Sequence, residues 1–279
     1  MTQIEIKHHR IRSTDGLTLA VVEGGERSGP PILFVHGYLF SAAAFARQFE
    51  GALTRHHRLI AMDLRGHGDS EKPRDLAAYA NPAIWADDVA CVLDALEVEQ
   101  AIIVGWSLGS RVTLNYAWHH GFARIAALNL VAATLARNSH GSSASLPPQF
   151  RELLAPEPEL RRIATRRFVE ACSFPGGEDS QPLHTFAEAA MGVPVEARLG
   201  SRGWPILYDD ALSWISAPTL ITHGALDPLV MERTARAHVE VIPGAELALI
   251  ADAGHLVFFQ SPARFNDDLA TLARRVFPS

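Results

Sequence analysis

The residues with the clearest chemical potential form the segment Gly105-Trp106-Ser107-Leu108-Gly109. An uninterrupted apolar run, Ala101 to Val104, precedes it and is typical of a strand buried on both faces of a parallel sheet. A helical pattern towards His120 follows it. The two glycines permit a turn sharp enough to expose the serine hydroxyl at its apex. The pattern therefore predicts Ser107 as a nucleophile at a helix start, where the backbone N–H of Leu108 and the helix dipole favour a developing negative charge.

A nucleophilic serine needs a base, and the base needs a carboxylate to orient it. Asp227 comes just after the strand pattern Pro218 to Thr222, and His255 follows the strand pattern Leu247 to Ala251 in a loop that contains a glycine. Because all three residues follow predicted parallel strands, we expect them to meet at one edge of the sheet. Each residue taken alone has a plainer interpretation: Ser107 as a helix N-cap, Asp227 as an Asx-turn and His255 as a loop donor.

A second oxyanion donor is expected after the strand pattern Ile32 to Val35. Gly37 lets the backbone turn its N–H groups inward there, and the N–H of Tyr38 is the candidate. The neighbouring His36 is interpreted as a structural histidine that bonds to the loop backbone. The charged loop Asp63 to Ser70 has neither metal-ligand spacing nor a Walker lysine, so it is interpreted as a hydrogen-bonded structural loop.

Strand and helix patterns alternate along most of the chain, which predicts an α/β fold with a mostly parallel, doubly wound sheet. A hairpin around Asp15-Gly16 adds antiparallel strands at one sheet edge. The predicted helices of this part are Ala42 to Leu53, Pro82 to Leu96 and Pro262 to Val276.

From about residue 134, three helical patterns follow one another with no strand pattern between them. They start at Pro147-Pro148, at Pro158 and at Pro182. This arrangement predicts a helical cap over residues 134–214, inserted before the penultimate strand of a core formed by residues 1–133 and 215–279.

The composition is that of an ordinary globular enzyme, with 279 residues, 48% hydrophobic and 20% charged, and a net charge of −6 that argues against a nucleic-acid partner. Two cysteines cannot form a disulfide framework. No signal-peptide pattern and no apolar run of membrane-spanning length occurs, so the expected location is the cytoplasm.

The chain resembles enzymes of the α/β-hydrolase fold over nearly its whole length, with only the cap weakly matched. The segments that carry the resemblance are His36-Gly37-Tyr38, Asp63-Leu64-Arg65-Gly66-His67-Gly68-Asp69-Ser70, Gly105-Trp106-Ser107-Leu108-Gly109, His223-Gly224-Ala225-Leu226-Asp227 and Ala253-Gly254-His255. It implies an eight-stranded sheet flanked by helices, Ser107 as nucleophile, His255 as base and Asp227 as orienting acid. It also implies an oxyanion hole made by the N–H groups of Tyr38 and Leu108, and neither a metal nor an organic cofactor. Serine at position 107 disfavours epoxide hydrolase and haloalkane dehalogenase activity, which use an aspartate nucleophile.

Two branches of that family are similar to this chain. Trp106 and Leu108 around the serine resemble pimeloyl-acyl-carrier-protein methyl ester carboxylesterases, and the overall length and motifs resemble cofactor-free haloperoxidase and perhydrolase-type esterases. Four arginines on the second cap helix suggest a surface for an acidic carrier protein, although a solvated helix face is the favoured interpretation; they are Arg161, Arg162, Arg166 and Arg167. Four large side chains suggest an apolar acyl pocket: Phe40, Trp106, Phe186 and Met191.

The predicted function is that of a serine hydrolase that cleaves a small to medium carboxylic ester through an acyl-enzyme. The same triad leaves lactone hydrolysis, perhydrolysis and cleavage of a C–C bond open. A ligand sensor with slow turnover is the alternative from another class. No nucleic-acid or membrane partner is expected.

Overall fold

An eight-stranded sheet forms the centre of the computed structural model, which describes residues 5–135, 148–173, 180–202, 204 and 209–278. The strands are β1 (Lys7–Arg12), β2 (Thr18–Gly25), β3 (Pro31–Val35), β4 (Arg58–Met62), β5 (Ala101–Trp106), β6 (Ile125–Val131), β7 (Thr219–Gly224) and β8 (Glu246–Ile250). Their order in the sheet is β1-β2-β4-β3-β5-β6-β7-β8. The pairs β1–β2 and β2–β4 are antiparallel and the other neighbours are parallel, as the alternating pattern predicted.

The middle of the sheet consists of β3, β4 and β5, in which aliphatic residues follow one another without alternation. The register places Ile32 beside Ile102 and Leu33 beside Ile103, and all four side chains are fully buried. Burial of both faces explains why these strands lack the alternating pattern of a half-exposed strand. Strand β5 is paired with β3 up to Gly105 and with β6 up to Trp106, the residue before Ser107.

The helices of the described residues cover the faces of this sheet and the ends of its strands. They are α1 (Ala46–Phe49), α2 (Ala77–Ala80), α3 (Pro82–Ala95), α4 (Leu108–His120), α5 (Pro158–Ala171), α6 (Ser180–Met191), α7 (Val195–Gly200), α8 (Asp209–Leu212), α9 (Glu232–Val241), α10 (Val257–Gln260) and α11 (Pro262–Val276). Short 3-10 helices span Ala42–Phe45, Ala52–Arg55 and Pro148–Leu154. None of the described helices is long and apolar enough to cross a membrane.

The elements between β6 and β7, namely the 3-10 helix Pro148–Leu154 and α5 to α8, are called the cap below. Arg198 of α7 is fully buried and joins them, because its guanidinium donates to the carbonyls of Leu153, Ala190 and Val193 and to the hydroxyl of Thr165 at 2.8–3.2 Å. These bonds connect the 3-10 helix, α5 and the end of α6 to α7. That residues 134–214 form a separate unit stays a prediction.

The prediction of one continuous helix from Ala42 to Leu53 is wrong. The structure has instead three short pieces there, Ala42–Phe45, Ala46–Phe49 and Ala52–Arg55. Gly51 interrupts them with extended backbone (φ −90°, ψ −176°), and a Cβ at this position would lie 2.7 Å from the side-chain nitrogen of Asn266. The buried Gln48 donates to the Phe258 carbonyl at 2.8 Å. Contacts with α10 and α11, invisible in the local pattern, thus override it.

The charged loop after β4 is a structural element, in agreement with its interpretation from sequence. The Asp63 carboxylate accepts hydrogen bonds from the N–H groups of Ala42 and Asp69, each at 2.7 Å. Arg65 is completely buried and forms an ion pair with the equally buried Asp88 at 2.6 Å. The loop is thereby fixed beneath the strand ends where the predicted site lies.

Candidate active site

Ser107 occupies a sharp turn between β5 and α4. Its backbone is in the left-handed region with φ 54° and ψ −112°, which non-glycine residues adopt rarely and at a cost. The glycines around it are required by space: a Cβ at Gly105 would lie 2.7 Å from the Cα of Ser110, and one at Gly109 would overlap the carbonyl oxygen of Val35. The strained turn therefore holds the serine at the point where strand becomes helix.

Asp227 and His255 lie in the loops after β7 and β8 and are hydrogen-bonded to each other. Asp227 Oδ2 is 2.7 Å from His255 Nδ1, and both side chains are buried. Asp227 Oδ1 accepts the N–H groups of Leu229 and Val230 at 2.8 and 2.9 Å. Burial raises the pKa of Asp227, but the charge and hydrogen bond of His255, together with the bond from Val230, outweigh it and hold the pKa below its ordinary value. The carboxylate is thus ionised at neutral pH and accepts the proton on Nδ1.

The structure also places the residue before Ser107 against His255. Trp106 Nε1 donates to the His255 carbonyl at 2.9 Å, and the two rings are 5.6 Å apart. Among the described residues, the imidazole of His255 is bonded to Asp227, but Ser107 Oγ makes no hydrogen bond to it. Such nucleophile–base bonds are often long before a substrate binds. With Nδ1 bound to Asp227, Nε2 is the nitrogen left for the nucleophile.

Two backbone N–H groups are available near Ser107. Leu108 is the first residue of α4, so its N–H has no acceptor within the helix. Tyr38 lies in the turn that follows β3. The next residue, Leu39, has a φ of 67°, which is again in the left-handed region. Among the described residues neither N–H donates a hydrogen bond. The Tyr38 hydroxyl donates instead to the Arg198 carbonyl of the cap at 3.3 Å, which ties this turn to α7.

The family of the chain follows from a sequence comparison. The model of the alpha/beta hydrolase fold matches residues 30–262, which is most of the chain. The chain belongs to the α/β-hydrolase family. One relative is the AB hydrolase superfamily protein YisY of Bacillus subtilis, 28% identical over 269 residues that cover 94% of this chain and 97% of YisY.

Solved structures place this α/β-hydrolase near esterases. A candidate aryl esterase from Burkholderia cenocepacia is 29% identical, with a TM-score of 0.90 over 98% of this chain and 100% of its own. The esterase RhEst1 from Rhodococcus sp. ECU1013 is 27% identical, with a TM-score of 0.87 over 96% of this chain and 99% of its own. The fold predicted from the sequence is thus confirmed, and the protein is a hydrolase enzyme.

His36 of this α/β-hydrolase is a structural residue. Its Nδ1 bonds to the carbonyl of Gly37 at 2.8 Å, and its Nε2 accepts the N–H of Leu64 at 3.0 Å. Its ring lies 5.3 Å from that of His67, and burial lowers the pKa of His36 to about 4 and that of His67 to about 3. Both imidazoles are therefore neutral at pH 7. No cluster of three or more potential metal ligands occurs in the part of the chain that the structure describes.

Three of the four predicted pocket residues form one aromatic contact series. Phe40 lies 4.7 Å from Trp106 and 5.6 Å from Phe186, and Phe186 lies 5.5 Å from Phe259. Phe186 thus brings α6 of the cap onto the turn near Tyr38 and onto α10. Met191, at the end of α6, is partly buried. That these side chains contact substrate stays a prediction.

The predicted carrier-protein surface on α5 is occupied in part by local contacts. Its members are Arg161, Arg162, Arg166 and Arg167. Arg162 pairs with Glu159 at 2.6 Å and Arg166 lies 3.9 Å from Glu188. Arg161 donates to backbone carbonyls just before α5. These contacts agree with a solvated helix face, and the carrier protein stays a prediction.

Several contacts that the sequence did not predict join the cap to the loop of His255. The N–H of Leu256 donates to the carbonyl of Cys172, just after α5, at 3.1 Å. Gln260 accepts the N–H of Gly254 at 2.8 Å and donates to Ser173 at 3.0 Å. A glutamine in a short helix carries no sequence signal for such a bridge, because its partners are distant in the chain.

Proposed function

We propose that this hydrolase cleaves small to medium carboxylic esters through an acyl-enzyme formed on Ser107. The observation that supports the proposal most strongly is the buried hydrogen bond of 2.7 Å between Asp227 and His255, located beside the strained turn of Ser107. The similarity to esterases that share the fold along the whole chain supports the same substrate class.

In the first half of the proposed reaction, Ser107 Oγ attacks the ester carbonyl while His255 Nε2 takes its proton. The carbonyl oxygen becomes an oxyanion, and the N–H groups of Tyr38 and Leu108 bind it. His255 then gives the proton to the leaving alkoxide as the C–O bond breaks. The alcohol departs and the acyl group remains on the serine.

In the second half, a water molecule attacks the acyl carbonyl with His255 again acting as base. Collapse of the second tetrahedral intermediate releases the acid and returns the proton to Ser107 Oγ. Asp227 orients the imidazole throughout and stabilises the imidazolium that forms twice per turnover. A buried carboxylate is suited to this role because its field is weakly screened by water.

The proposal is tested by initial rates on p-nitrophenyl esters of increasing acyl length, with the wild type and Ser107→Ala compared. Ser28→Ala is the matched control, because Ser28 is an exposed serine in a turn far along the chain from β5. Circular dichroism of both variants verifies that each is folded.

We expect turnover by the wild type and by Ser28→Ala, and its collapse in Ser107→Ala. The acyl length of the ester with the highest kcat/KM then indicates the size of the acyl pocket. A folded wild type that hydrolyses none of these activated esters contradicts the proposal and favours C–C bond cleavage or a sensor function.

A further inference from the structure

Arg111 is a cation in the helix that begins directly after the proposed nucleophile. Ser107 is the N-cap of α4 and Arg111 is the fourth residue of that helix, so the two residues are separated by about 6 Å, roughly one helical turn, along the axis. Long side chains in helices lean towards the N-terminus, which for Arg111 is the end where Ser107 lies. From the cap, Trp204 contacts it: Arg111 Nη2 donates to the Trp204 carbonyl at 3.3 Å, and the guanidinium lies 5.4 Å from the indole ring centre.

In the part of the chain that the structure describes, no carboxylate pairs with Arg111. Among the described residues its guanidinium has one hydrogen bond, to the Trp204 carbonyl, and no ion pair. Burial lowers the pKa of Arg111 to about 10. The buried Arg65 shows the contrast, because its ion pairs with Asp88 and Asp15 outweigh burial and raise its pKa. Arg111 is partly buried, and a partly desolvated cation attracts an anion more strongly than a cation in open water does.

Two arginines of the cap lie near the turn of Tyr38. Arg198 carries its charge among carbonyl and hydroxyl oxygens, and the Tyr38 hydroxyl lies near both Arg198 and Arg202. Glu196, the acidic residue of α7, lies 3.9 Å from Arg74. The turn of Tyr38 therefore has cationic side chains of the cap beside it.

We propose that Arg111 is a specificity-determining residue that binds a carboxylate at the far end of the acyl chain. The preferred substrates are then half-esters of short dicarboxylic acids, with the ester carbonyl at Ser107. The axial separation of about 6 Å suits a chain of roughly two to four carbons between the two groups. This inference rests on the proposed esterase function and names its substrate class.

The test compares monomethyl succinate, glutarate and adipate with methyl butanoate, pentanoate and hexanoate, with acid release followed in a pH-stat. Each pair has the same chain length and differs in one terminal carboxylate. The proteins are the wild type, Arg111→Gln, Arg111→Lys and, as a matched control, Arg264→Gln, which removes an exposed arginine of α11 that pairs with Asp268. Inhibition of p-nitrophenyl butyrate turnover by glutarate gives a second readout on the wild type alone.

We expect the wild type to prefer the anionic member of at least one pair by about tenfold or more in kcat/KM, as for a charge-assisted hydrogen bond. Arg111→Gln abolishes this preference, measured as the ratio of kcat/KM for the two members of each pair, mainly through KM of the anionic member. Arg111→Lys retains part of the preference, Arg264→Gln retains it fully, and glutarate inhibits competitively.

Hydrolysis of the neutral esters with no preference for their anionic partners overturns this inference and leaves the proposed function standing. A preference that survives in Arg111→Gln also overturns it. If Arg111→Gln does not fold, absence of inhibition of the wild type by glutarate is decisive against it. A protein that hydrolyses no ester at all overturns both proposals.

Discussion

Gln260 is hydrogen-bonded to the backbone of Gly254, the residue that precedes His255. The same side chain reaches Ser173 of the cap, and the residue after His255 is bonded to the carbonyl of Cys172. The loop that carries the proposed base is thus held on both sides by the segment after α5. In this protein the cap therefore fixes the position of the imidazole as well as covering part of the core.

The first prediction concerns this bridge. Gln260→Leu removes the acceptor of the Gly254 N–H and is expected to lower kcat about tenfold, because a misplaced base is less effective while ester binding is unaffected. Gln260→Glu keeps an acceptor at that place, and the Ser173 hydroxyl can donate to it, so most of kcat returns. Steady-state kinetics on a p-nitrophenyl ester measure both.

The control for this prediction is Gln100→Leu, which removes an exposed glutamine bonded to the Ala123 carbonyl. It is expected to leave kcat and KM unchanged. Equal losses in Gln260→Leu and Gln260→Glu would show that the side chain acts through packing and not through its hydrogen bond to Gly254.

The second prediction concerns the carboxylate. In Asp227→Asn the amide can donate to Nδ1, which leaves the proton on Nε2 and removes the base. We expect a loss of roughly 10³–10⁴ in kcat, as for the corresponding change in a serine protease. Asp252→Asn is the matched control, since Asp252 is an exposed aspartate three residues before His255 that bonds to Ser261. A large loss in the control and a small one in Asp227→Asn would reassign the acid.

The third prediction concerns Trp106, whose Nε1 donates to the His255 carbonyl. Trp106→Phe keeps an aromatic ring beside Phe40 but leaves this carbonyl unpaired. We expect a loss of about 1–3 kcal/mol in the free energy of unfolding and a several-fold decrease in kcat. Urea denaturation and steady-state kinetics measure the two effects. Unchanged values for both would mean that water replaces the indole without consequence.

The fourth prediction concerns stability at acid pH. Burial lowers the pKa of His36 to about 4, so between pH 6.5 and 4 the unfolded chain binds a proton there and the folded chain does not. Stability is therefore unaffected by this group above pH 6.5 and decreases as the pH falls through that window, by about 3 kcal/mol for His36.

This decrease is measured as the slope of the unfolding free energy against pH. His36→Gln is expected to flatten the slope, and His8→Gln, which changes an exposed histidine of β1, is expected to leave it as it is. A slope that is the same in all three proteins would contradict the assignment of His36 as a neutral, backbone-bonded residue.

The parts of the molecule that the sequence predicted well are those with local causes. The turn at Ser107 could be foreseen because Gly105 and Gly109 are both required within four residues of each other, and the structure gives steric reasons for both. The loop positions of Asp227 and His255 followed from the alternation of strands and helices. Their hydrogen bond agrees with the expectation that the strand ends bring them together.

The parts that the sequence did not predict depend on distant contacts. At Gly51, where the predicted helix breaks, a Cβ would lie too close to Asn266 of α11, and the bridge from Gln260 reaches Ser173 in the cap. Helix α9 (Glu232–Val241) was missed entirely. Its N-cap residue is Met231, which makes no side-chain cap, so the usual signal for a helix start is lacking.

The central claim, that Ser107 is the nucleophile, is tested most directly by a p-nitrophenyl alkylphosphonate ester, which traps a reactive serine irreversibly. We expect release of one p-nitrophenolate per protein molecule, loss of ester turnover in the same proportion, and a phosphonyl mass on the peptide that contains Ser107. Ser107→Ala should release none. A phosphonyl group on any other residue, or full ester turnover by a protein that carries none after prolonged exposure, would contradict the claim.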